Sequence, residues 1–258
     1  MKRIATVALY TFRELIRSKL LFVWAISVVL LCGLAYLLSI LSYGEILQIF
    51  TDLGLAGMEI AGLLVLLLSL VVTYTTEMDQ KAIYLQMAKP LTKGEYLLGR
   101  VLGFYMVNAL VVLGMGLVVV GLVVFVGGGS VSPFFFQATV FLLLEMFVLT
   151  FVGLTYQMIA TSMVGVFLYT FFTIFLGHCV GEIEWLMTKQ LTPYVRAILK
   201  GVYYILPNLE IFNLKDRIYD PGLVLGWGQW QEVLLYTFAY SFMVFLIGWI
   251  NLEKREFR

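Results

Sequence analysis

Six runs of near-continuous apolar sequence, over residues 20–41, 54–74, 97–126, 134–158, 163–180 and 233–252, dominate this chain. A helix needs about 20 apolar residues to cross the hydrocarbon of a bilayer, and each run reaches or approaches that length. A soluble core does not account for them: 62% of the residues are hydrophobic and 13% charged, against about half and a quarter in soluble domains. Lipid offers backbone groups no partner, so a spanning segment is either a helix or a strand of a closed barrel. Barrel strands alternate apolar and polar residues over about ten positions, whereas these runs are continuous. The expected fold is an all-α polytopic membrane protein, a single domain over 1–258 with six transmembrane helices.

Lysine and arginine set the orientation. With the N-terminus inside, the inner segments hold Lys2, Arg3, Arg13, Arg17, Lys19, Lys81, Lys89, Lys93, Arg100, Lys254, Arg255 and Arg258, twelve of the seventeen basic residues. The outer loops at 42–53 and 127–133 hold none, and the other five lie in the long outer loop 181–232. Both termini are therefore expected in the cytoplasm. The first run is too long for a signal-peptide core and lacks a small-x-small cleavage site after it, so it is expected to stay as a helix. The net charge of +1 gives no field for nucleic acid, while lipid is an obligatory partner.

Three connecting segments carry structure of their own. Over residues 1–19, Arg3, Thr6, Tyr10, Arg13, Glu14 and Arg17 fall within an arc of about 100° on a helical wheel, with Ile4, Ala8, Phe12 and Leu15 elsewhere. Such a cationic stripe, with Arg3, Arg13 and Arg17 at its surface, describes a helix lying at a membrane interface. In the inner connection 75–96, Glu77 and Lys81 pair at i,i+4, Pro90 stops the helix, and Thr92-Lys93-Gly94-Glu95 is a capping box opening the third span. In 181–232, Thr192 and Pro193 open an amphipathic helix with Val195, Ile198, Leu199, Val202 and Leu206 on one stripe. It ends at Pro207 and is expected to pack on the outer surface. Asp220-Pro221-Gly222 reads as a turn, and Trp227 and Trp230 suit the outer headgroup level.

Few residues could carry chemistry. His178 is the one histidine, so nucleophilic triads and histidine-rich metal motifs are missing. His178 and Glu182 would be i,i+4 on a continuous helix, a weak candidate pair for a metal. Cys32 and Cys179 form no disulfide framework and read as small buried residues. Glu145, near the middle of the fourth run, and Glu59, about a turn and a half from the outer end of the second, are carboxylates in lipid-depth sequence. Such residues are costly unless paired, and are candidates for transport or for hydrogen bonds to a neighbour such as Asn108. Gly99 and Gly103 form a G-x-x-x-G that lets another helix approach closely, with packing inside the chain favoured over a dimer seam. No Gly-Lys pair and no phosphate-binding loop occur, so the chain binds no ATP by that device.

Two strings point to a family. Ala8 to Lys19, with Thr11-Phe12-Arg13-Glu14-Leu15-Ile16-Arg17-Ser18-Lys19 at its core, resembles the opening of ABC-2-type permeases. Glu77-Met78-Asp79-Gln80-Lys81-Ala82, followed by Ala88-Lys89-Pro90 and Gly94-Glu95-Tyr96-Leu97-Leu98-Gly99-Arg100, is similar to that family's coupling segment. Pro207-Asn208-Leu209-Glu210-Ile211-Phe212-Asn213 adds a likeness to the permeases grouped with nitrous-oxide-reductase maturation and gliding-motility systems.

The resemblance implies an elbow helix at 1–19 and a coupling helix in 75–96 whose ATPase contacts involve Glu77, Asp79, Lys81, Tyr84 and Pro90. It also implies two ATPase subunits that hold ATP and magnesium and a second permease subunit, expected as a homodimer. The resemblance further implies that this chain itself binds no cofactor and has no enzyme activity of its own. The expected place is the cytoplasmic membrane of a bacterium or archaeon, and the expected activity is ATP-driven export of a cargo that the sequence does not name. Two other classes stay open: a proton-coupled secondary transporter or channel using Glu145, and an intramembrane enzyme.

Overall fold

The computed structural model describes residues 2–41, 46–80, 92–129, 131–189, 192–214 and 225–254. Its helices are α1 (Lys2–Arg17), α2 (Leu20–Leu41), α3 (Ile46–Gln80), α4 (Lys93–Gly121), α5 (Pro133–Ile159), α6 (Met163–His178), α7 (Val180–Met187), α8 (Pro193–Ile205) and α9 (Trp227–Lys254). A π-helical turn, Leu122–Val126, extends α4, and a 3-10 turn, Glu210–Phe212, precedes α9. Among the described residues five helices are long and apolar enough to cross a membrane, and α6 with α7 makes a sixth candidate, bent by 51°. The protein is thus a helical multi-pass membrane protein with five or six spans.

Helix α5 is the centre of the bundle, with α3, α4, α6 and α9 packed around it. Its inward residues include Phe141, Met146, Leu149 and Leu154, all buried. Helix α2 lies at the periphery against α3 and α4, where Trp24 Nε1 donates to the Val111 carbonyl at 3.2 Å. Phe22, Val29, Leu30 and Tyr36 on α2, and Phe167, Phe171, Phe172 and Phe175 on α6, are exposed. Large apolar residues on the outside of a bundle are what lipid as solvent requires.

Local signals explain the helix starts. Thr92 caps α4, with Glu95 N–H donating to Thr92 Oγ1 at 3.2 Å and Thr92 N–H donating to Glu95 Oε2 at 3.1 Å. The capping box read from the sequence is therefore present, and it satisfies two otherwise orphaned donors. Ser132 with Pro133 opens α5, and Ser162 opens α6 by accepting from the Gly165 amide. Only residues 160–162 separate α5 from α6, the short return expected between the fourth and fifth spans.

Several boundaries move. Helix α3 begins at Ile46 rather than at residue 54, because Ile46-Leu47-Gln48-Ile49-Phe50 continues the helical pattern outward. Glu59 then lies about three and a half turns inside its helix, not one and a half. Helix α9 begins at Trp227 rather than at 233. Trp227 is exposed on the first turn, whereas Trp230 turns inward, edge-on to Phe141 with ring centroids 4.8 Å apart. Helix α8 forms where expected, but it packs chiefly on α7. Its stripe is only partly packed: Val195 and Ile198 are exposed, Leu199, Val202 and Leu206 are half-buried, and the helix has no fully buried residue. Apolar periodicity selects a face; it does not supply the surface that face meets.

Helix α3 runs through Gln80 and so carries the backbone of Glu77 and Asp79. Lys81, Tyr84 and Pro90, the Glu77–Lys81 pair and the Asp220-Pro221-Gly222 turn lie outside the described residues.

Candidate functional site

At one end of the bundle α1 lies along the start of α4. Ala8, Thr11 and Leu15 are its buried residues, while Arg3, Arg13 and Arg17 are exposed, as the cationic stripe requires. The two glycines of the G-x-x-x-G face it. A Cβ on Gly99 would stand 3.0 Å from the Ile4 carbonyl oxygen, and one on Gly103 would stand 2.8 Å from that of Ala8. The small-residue face therefore serves packing within the chain. Lys93 Nζ donates to the carbonyls of Leu252 and Glu253 at 3.1 Å, tying the end of α9 to the same place.

Beneath this contact Arg100 is buried, although its charge reads from the sequence as an inner-facing topological signal. Its Nη1 donates to Tyr96 Oη at 2.8 Å and its Nη2 to Gln157 Oε1 at 3.4 Å. The guanidinium lies 5.6 Å from the ring centroids of Tyr96 and Phe104. The i,i+4 spacing of Tyr96 and Arg100 is the one local trace of this arrangement. Hydrogen bonds to a charged group contribute about 1.5–3 kcal/mol, so Tyr96→Phe is expected to lower unfolding stability in detergent by about that much.

Glu14 on α1 is half-buried near Arg100; burial pushes its carboxyl above the ordinary carboxylate range, and the Arg100 charge only partly offsets this. An acid whose pKa is raised by folding stabilises the fold while protonated, and that contribution is lost as pH rises through the raised value. Glu14→Gln, which keeps the neutral form, is therefore expected to reduce the loss of stability as pH rises from acid to neutral. Denaturation midpoints across that range check it.

Deeper in the bundle the structure brings together three residues that the sequence offered singly. Glu59 on α3, Glu145 on α5 and His178 on α6 each present a ligand atom, and these atoms lie within 4.8 Å of one another. His178 Nε2 is 2.9 Å from Glu59 Oε1 and 3.3 Å from Glu145 Oε1. At 1.5 Å per residue, Glu145 and His178 lie about 21–23 Å from the α1-side ends of α5 and α6, and Glu59 about 24 Å from Thr75, where the apolar part of α3 ends, so the three share one depth. The Glu145 side chain is 5% exposed, that of Glu59 12% and that of His178 29%.

The His178 ring has a defined tautomer. Its Nδ1 is 3.0 Å from the carbonyl oxygen of Ile174, which can only accept, so Nδ1 carries a hydrogen. Nε2 then faces two carboxylate oxygens. Were it a bare lone pair, three acceptors would crowd one point in a low-dielectric site, which is costly. A cation, either a proton or a metal ion, resolves that repulsion.

Two sequence expectations fail here. Glu182 is exposed and takes no part, because the chain bends at Cys179, between α6 and α7, by 51°. That bend destroys the i,i+4 register. Asn108 is buried, and among the described residues neither polar atom of its side chain has a hydrogen-bond partner, so it does not serve Glu145. Cys32 and Cys179 are free and half-buried. Comparison of the chain with family models and with curated proteins found no match.

Proposed function

We propose that this chain is the membrane-spanning permease subunit of an ATP-driven exporter of the ABC-2 type, working with separate ATPase subunits and a second permease subunit in a prokaryotic cytoplasmic membrane. The observation that carries the reading is the seating of α1 on the glycine face of α4. Helix α4 starts at the capping box directly after the segment 77–91, so a force applied there reaches α4 and α1 as one body. The amphipathic surface helix and the ATPase-facing connection are then a single lever. The sequence holds no phosphate-binding loop, which supports a reading in which a partner subunit carries ATP and magnesium.

The test is purification of the full-length protein from its native membrane under mild detergent. A stoichiometric partner carrying a G-x-x-x-x-G-K-[ST] sequence is the expected result; its absence from a monodisperse preparation contradicts the reading.

A proton-coupled transporter is the second reading, favoured by the intramembrane group Glu59, Glu145 and His178. It predicts proton flux in liposomes driven by a pH gradient without ATP, abolished by Glu145→Gln.

A further inference from the structure

Helices α3, α5 and α6 each contribute one member of the buried group Glu59, Glu145 and His178, and the geometry points to a binding site for a borderline divalent cation of the zinc class. Zinc takes imidazole nitrogen and carboxylate oxygen at about 2.0–2.2 Å. Around a tetrahedral ion, ligand atoms at those bond lengths stand roughly 3.3 Å apart. Here Nε2 stands 2.9 Å from one carboxylate oxygen and 3.3 Å from the other. The Nδ1 hydrogen bond to Ile174 is the outer-shell contact that aims a metal-binding imidazole and fixes its tautomer.

A proton on Nε2 satisfies this group less well than an ion does. One N–H stands between oxygens 2.9 and 3.3 Å away and aligns with only one of them. Among the described residues Glu145 Oε1 is then buried without a hydrogen-bond partner. A metal ion serves both carboxylates at once. Two carboxylates, a neutral imidazole and a divalent cation also sum to zero, and a group without net charge is the cheaper one to bury.

Space and access fit as well. A cavity of about 20 Å³ adjoins the three residues, walled by Leu55, Leu142 and Phe212. One water needs roughly 10–15 Å³, so a fourth, exchangeable ligand fits, as in three-ligand zinc sites that keep an open position. Asn213 and Leu214 are shared with a second cavity of about 210 Å³, whose walls carry Glu210 and Glu232. An acid-lined approach concentrates cations at its mouth. The donor set is one imidazole nitrogen and two carboxylate oxygens with no sulfur, which suits zinc over soft monovalent copper. Magnesium prefers an all-oxygen, octahedral and largely hydrated shell.

The inference does not depend on the exporter reading, and its readout is metal binding rather than transport, so either can fail alone. Full-length protein in detergent, stripped with chelator, is titrated with zinc against a chromophoric competitor. One zinc per chain is expected, undisturbed by magnesium in about hundredfold excess. Glu145→Gln and His178→Gln each remove a direct ligand and are expected to weaken binding by more than the roughly 10–100-fold that loss of an outer-shell partner costs. Zinc-edge X-ray absorption on the wild type serves where a variant folds poorly, and is expected to report imidazole and oxygen scatterers without sulfur. Sub-stoichiometric or sulfur-ligated zinc, or well-folded variants that bind like the wild type, would overturn the site and leave a cluster held by a proton.

Discussion

Gly103→Leu is expected to unseat α1 and to lower unfolding stability by about 3 kcal/mol or more. The cause is backbone proximity. A Cβ at this position would lie 2.8 Å from the Ala8 carbonyl oxygen and 2.6 Å from Thr11 Cβ. No rotamer change moves a backbone carbonyl, so α1 itself has to lift. Gly99→Leu meets the Ile4 carbonyl and Val7 in the same way and is expected to act alike. Gly121→Ala is the control: among the described residues nothing lies within 4 Å of its added Cβ, and alanine favours helix over glycine by about 1 kcal/mol. Thermal unfolding in detergent measures the size of the effect. Trypsin then reports its location, because Arg3, Arg13 and Arg17 are exposed on a helix that resists cleavage only while it is docked.

His178→Leu is expected to lower stability by about 3–5 kcal/mol, because it removes the group that stands between the buried carboxylates of Glu59 and Glu145. The distances of 2.9 and 3.3 Å to Nε2 place the histidine as the element that holds both carboxylates. Combining His178→Leu with Glu59→Gln and Glu145→Gln removes the charges that make the single substitution costly. The triple variant is expected to recover most of the loss, a strong departure from additivity of the kind that contacting residues show. Equilibrium unfolding of the single, double and triple variants measures it; additive losses would mean that the three residues do not act as one group.

The spans were legible because lipid demands long continuous apolar helices, and composition alone carries that demand. Helix starts at Thr92, Ser132 and Ser162 follow from side-chain capping, which is local chemistry. The glycine face of α4 was legible as a face; its partner, α1, was not, because close packing depends on where two distant segments meet. The buried group shows the same limit more sharply. Glu59, Glu145 and His178 each stood out as polar residues in apolar sequence, yet only tertiary packing joins α3, α5 and α6. Local periodicity pointed His178 toward Glu182 instead, and the bend at Cys179 undid that pairing. Arg100 misled for a related reason: a basic residue near a span end reads as a topological charge, while Tyr96 and Gln157 supply a buried polar seat that no charge count contains.

The proposed role of this chain is to convert ATP hydrolysis on a partner into movement of its own helices. The most direct measurement is ATP hydrolysis by the co-purified assembly in nanodiscs, compared with the ATPase subunit alone and with an assembly carrying Glu77→Ala and Asp79→Ala. The expected result is a rate in the wild-type assembly that differs from the isolated ATPase, and a return to the isolated rate in the variant while the subunits remain bound. An identical rate in all three samples would contradict it.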